Sequence, residues 1–62
     1  MTIGEKNTAL RWRMLLTQVE LSEHLGVALM TVRKWERDLR KPKEKSLMSL
    51  EELFNKYNIN DD

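Results

Sequence analysis

The chain has 62 residues, no cysteine, 40% hydrophobic and 34% charged residues, and a formal net charge of +1. A chain of this length buries about 60% of the surface its unfolded form exposes, which allows one small core and a single domain over 1–62. Disulfides and thiolate metal sites are excluded, no apolar run approaches the roughly 20 residues of a spanning helix, and so small a globule has little room for an enclosed catalytic pocket.

The pattern predicts helices throughout, since sustained alternation and hairpin dipeptides are missing. A first helix is expected from about Thr8 to Leu15, capped by Asn7, with Leu10 and Met14 one turn apart on one face. Thr2 and Glu5 also have capping-box spacing, which would start it earlier. Thr17 and Glu20 mark a second start by the same spacing; Leu21 and Leu25 follow as an apolar pair, and Gly26 stands where a left-handed residue closes a helix without steric cost. A third helix runs from about Leu29 to Asp38 and buries Val32 and Trp35. Pro42 breaks the basic segment that follows, a loop over 38–45. The fourth helix is expected over about 46–57, capped by Ser46, with Leu47, Leu50, Leu53, Phe54 and Tyr57 on one broad stripe. Asn58 can take the left-handed closing conformation, with Ile59 folding back on the last turn.

The small net charge hides a strong division along the chain. Residues 1–32 are neutral overall, whereas 33–46 hold Arg33, Lys34, Arg37, Arg40, Lys41, Lys43 and Lys45 against Glu36, Asp38 and Glu44, a net of +4. The remaining segment, with Glu51, Glu52, Asp61 and Asp62 against Lys56, carries −3 and reads as a solvated face. Clustered positive charge is what a phosphate backbone attracts. The stretch just before it, from Gln18 to Arg37, is two short helices joined by a turn of a few residues (Leu25, Gly26, Val27, Ala28). So tight a turn sets the helices at a steep angle, with Ser22 small enough to sit where they cross, and this is a helix-turn-helix by its mechanics.

Leu16-Thr17-Gln18-Val19-Glu20-Leu21-Ser22, Leu25-Gly26-Val27, Thr31-Val32-Arg33-Lys34-Trp35-Glu36-Arg37 and Lys41-Pro42 resemble the lambda-repressor and Cro-like helix-turn-helix domains, the XRE family, over roughly Leu10 to Ile59. The resemblance implies an all-α, compact domain of four or five helices, its helix-turn-helix over 18–37. It also implies a sequence-specific DNA-binding transcriptional regulator, of the repressor type found in phage or plasmid switches, that places helix 29–37 in the major groove. Carried over by position, Gln18, Arg33, Arg37, Arg40, Lys41 and Lys43 would meet phosphates. Leu29, Met30 and Lys34 would face base edges or a partner. Arg11 and Glu36 would form a structural salt bridge between the first and third helices. Double-stranded operator DNA is the implied partner, bound by a homodimer on two half-sites.

The sequence departs from the family pattern in three ways. Ala28 stands where a serine or threonine usually caps the recognition helix, and Leu15 replaces a common glycine. Leu29 and Met30 stand where polar side chains usually read bases, and neither can make the bidentate hydrogen bonds that distinguish G or A. They could pack on thymine methyls, or form an apolar tip that binds a partner repressor protein, making the protein an antirepressor, or one of them could be partly buried. Trp12 is also placed to meet a partner. His24 reads as an exposed, idle side chain. No nucleophile, base and orienting group fall at recognisable spacing, so no catalytic residue, metal or cofactor is expected, and the cytoplasm is the expected compartment.

Overall fold

Two threonine–glutamate pairs set the starts of the first two helices in the computed structural model, which describes residues 1–60. Thr2 Oγ1 accepts the Glu5 amide at 3.1 Å while Glu5 Oε1 accepts the Thr2 amide at 2.8 Å, opening α1 (Ile3–Arg13). Thr17 and Glu20 repeat the arrangement to open α2 (Gln18–Leu25). Each box satisfies backbone donors that the first turn would otherwise leave unpaired. α3 (Leu29–Glu36) and α4 (Glu44–Lys56) complete the order, with no strand among the described residues. Asp61 and Asp62, expected on the acidic face, lie outside the described residues.

The turn chemistry follows the residues. Gly26 closes α2 at φ 71°, and the Val27 amide returns to the Ser22 carbonyl at 2.9 Å. Asn58 takes φ 58° after α4, and the Ile59 amide returns to the Phe54 carbonyl at 2.7 Å, burying the Ile59 side chain.

Five helix limits differ from the sequence expectation. α1 begins at Ile3 instead of Thr8, because its first turn is held from a distance: Asp38 accepts the Thr2 hydroxyl at 2.7 Å and the Gly4 amide at 3.0 Å. It ends at Arg13 instead of Leu15, since Leu15 is in the left-handed region at φ 58°. α3 stops at Glu36 with Arg37 as its C-cap; the expected extension to Arg37 or Asp38 is cut by Asp38 at φ 56°, after which the Leu39 amide returns to the Lys34 carbonyl at 2.9 Å. α4 spans Glu44–Lys56 rather than 46–57: Lys43 is the extended N-cap without a side-chain bond, Glu44 supplies negative charge to the first turn, and Ser46 lies inside the helix. The basic loop is therefore 37–43 rather than 38–45.

The core consists of Leu10 from α1, Leu21 from α2, Val32 and Trp35 from α3, Leu50 and Phe54 from α4, and Ile59 beyond it. α3 is packed between α1 and α2, and α1 also reaches α4. The α1–α3 crossing is close at Gly4, where an added Cβ would lie 2.5 Å from the Trp35 carbonyl oxygen. At its other end α1 is tied to α4 by Arg13 Nη1, which donates to the Tyr57 carbonyl at 2.8 Å, satisfying an acceptor that the end of α4 leaves free. Asn7 is wholly buried on α1, and neither its Oδ1 nor its Nδ2 has a hydrogen-bond partner.

Candidate nucleic-acid interface

The face of α3 that the core does not use is the candidate site. Val32 and Trp35 point inward, which turns Met30, Arg33, Lys34 and Arg37 outward, and all four are exposed. Leu29 is half-buried, so the apolar tip expected from Leu29 and Met30 together reduces to one exposed side chain, Met30 at 55%. Ala28 is the N-cap of α3 and supplies no side-chain hydrogen bond, as its identity requires.

α3 is fixed in place by one of its own carboxylates, which reaches the other two helices of this corner, α1 and α2. Glu36 Oε2 accepts from Arg11 Nε on α1 at 2.9 Å, and Oε1 accepts from Arg11 Nη2 and from Gln18 Nε2 on α2, each at 3.1 Å. Arg11 also donates from Nη1 to the Leu16 carbonyl at 3.3 Å, so its guanidinium spans the α1–α2 turn as well. The two side chains are only 16% and 6% exposed, and the two parallel N–H···O bonds fix direction as well as distance. Gln18, expected on a phosphate, is half-buried with its amide nitrogen on Glu36, which holds it at the edge of the α3 face.

Two grooves run along the flanks of α3. Gln18, Met30, Arg33, Lys34, Arg37 and Leu39 line one. Thr31, Arg40, Lys41, Lys43 and Ser46 line part of the other, beside the edge of Trp35. The residues expected to face DNA thus gather along a single helix, with cations on both sides of it. The structure adds two positions that the sequence reading passed over. Leu39 is 65% exposed in the first groove; an apolar residue inside a basic run was a signal for it. Asp38 couples the end of α3 to the start of α1, and no local pattern announces a contact across 36 positions.

Other exposed apolar side chains, Trp12 at 68% and Leu15 at 88%, lie at the α1–α2 turn. His24 is exposed near the end of α2, and no cluster of potential metal ligands forms among the described residues. No described helix is long and apolar enough to cross a membrane.

A short α2, a glycine-closed turn and an outward basic α3 make the arrangement whose dimensions suit a major groove about 12 Å wide. No curated protein and no solved structure matches the chain significantly. A family model described as Helix-turn-helix matches residues 9–60, from the middle of α1 to just beyond α4. The match takes in both helices of the motif, the basic loop and the whole of α4, and the chain belongs to the helix-turn-helix family of DNA-binding regulators.

Proposed function

We propose that this protein is a sequence-specific transcriptional regulator that lays α3 in the major groove of operator DNA. The observation that carries the reading is the flanking of an outward α3 face by Arg33, Lys34 and Arg37 on one side and Arg40, Lys41 and Lys43 on the other. Phosphates run along both walls of a major groove, so a reading helix between two rows of cations meets complementary charge wherever it enters. Gln18, steadied by Glu36, supports the reading as a phosphate contact at the start of α2. The functional unit is a symmetric pair on half-sites about 34 Å apart, one turn of the duplex.

Exposed Met30 and Leu39 favour a second reading, in which the same face captures a partner repressor protein. Fluorescence anisotropy of a labelled duplex, titrated across a salt series, separates the two. The DNA reading expects log affinity to fall linearly with log salt, by about 0.9 for each neutralised phosphate and several units in total. No binding at low salt would sink it and leave the protein-partner reading.

A further inference from the structure

We infer that Met30 reads DNA by accepting the C5-methyl group of a thymine, so that the half-site this protein selects carries a thymine opposite the first turn of α3. The inference rests on the DNA reading above and names the base it recognises.

Met30 is the second residue of α3 and is 55% exposed, whereas Leu29 before it is half-buried. The apolar contact available at the tip of the helix is therefore one flexible thioether chain. Its setting decides what that chain can meet. Gln18, Arg33, Lys34 and Arg37 line the same groove, and Leu39 adds its apolar side chain. An apolar protein surface docking here would strip water from three cations without giving them partners, at high cost. Duplex DNA gives those cations phosphates, and it offers the side chain between them a base edge.

A thioether has no donor and only a weak acceptor, so Met30 cannot read the hydrogen-bonding pattern of any base pair. The apolar group that the four bases present in the major groove is the thymine methyl. A methylated cytosine carries the same methyl, but its neighbouring amino group is a donor where thymine has the O4 acceptor. Lys34 lies one turn beyond Met30 on the same face and can only donate, which matches an acceptor edge and opposes an amino group. The pair therefore selects thymine over 5-methylcytosine, with Lys34 reaching thymine O4.

The test begins by selecting the preferred duplex from random sequences with the intact protein. Each thymine of the selected site is then replaced in turn by deoxyuridine, which deletes one methyl and preserves Watson–Crick pairing. The expected result is one position per half-site where the change weakens binding about four-fold, the worth of one buried methyl-sized group. Met30→Ala, a surface change to a strong helix former, should abolish the difference at that position, leaving the salt slope and the other thymines unaffected. Selected half-sites without a thymine, or indifference of every thymine to deoxyuridine, would overturn the inference while leaving DNA binding intact. Equal affinity for 5-methylcytosine at that position would overturn the assignment of thymine. Absence of binding to any duplex at low salt would remove the inference together with the reading it rests on.

Discussion

Glu36 joins three helices, because one carboxylate on α3 accepts from Arg11 on α1 and Gln18 on α2 together. Glu36→Ala leaves the Arg11 guanidinium, only 16% exposed, without its counter-charge. Removing one partner of such a pair is expected to cost about 3 kcal/mol, close to the ~3–5 kcal/mol that a core of this size supplies. Urea titration followed by circular dichroism should find the variant marginally stable at 25 °C, with about 0–2 kcal/mol remaining, and a loss below about 1 kcal/mol would contradict a structural role for the pair. Asn7 presents the opposite case. Both atoms of its amide are buried without partners, so the near-isosteric Asn7→Leu exchanges an unmet polar cost for apolar packing. The same titration should show a gain of about 1–3 kcal/mol, with unchanged affinity for DNA, since Asn7 lies on α1 away from the α3 face.

At the scale of elements, the joins between helices hold the informative strain. Leu15 sits at φ 58° and is 88% exposed, so it bears the cost of a left-handed residue and contributes no packing in return. Leu15→Gly relieves about 1–2 kcal/mol of steric cost against roughly 0.5–1 kcal/mol of added chain entropy, and a net gain of about 0.5–1 kcal/mol is expected in thermal unfolding. Gly4→Ala should act in the other direction. Its Cβ would meet the Trp35 carbonyl at 2.5 Å and the Asp38 carboxylate at 2.7 Å, forcing α1 and α3 apart at a cost of about 1–3 kcal/mol in the same measurement.

The sequence was most legible where structure is local. Thr17 with Glu20 and Gly26 fix the ends of α2 within one window, and the positions of Val32 and Trp35 alone settle which face of α3 turns outward. It was least legible where a distant residue decides. The spacing favours Asn7 as the cap of α1 with Thr2 as an earlier alternative, and it is Asp38, engaging Thr2 and Gly4 from beyond α3, that holds the earlier start. Ser46 is a better cap than Lys43 by residue type, yet α4 is already under way when it is reached. At the site, charge pattern located the cations, but only packing could separate half-buried Leu29 from exposed Met30.

For the molecule as a whole, the division of charge governs how it meets a polyanion. Arg40 and Lys41 are exposed beside α3, whereas Glu51 and Glu52 are exposed on α4. Replacing both Arg40 and Lys41 by alanine should weaken binding on every DNA sequence alike and make the salt slope shallower by about two, with little change in unfolding free energy. Anisotropy titrations at several salt concentrations check both parts. The Glu36 tether has a consequence of another kind. α3 has 8 residues, fewer than the ~12–15 at which a helix begins to hold by itself in water, so the reading surface persists only while its neighbours clamp it. Folding and DNA binding are then one linked equilibrium. A DNA site at a hundred times its Kd adds about 2.7 kcal/mol to the folded state, nearly what loss of Glu36 removes. A strain carrying a clamp-weakened variant would lose regulation on warming and regain it when the variant is overproduced, a heat-sensitive phenotype arising from a residue that need never touch DNA.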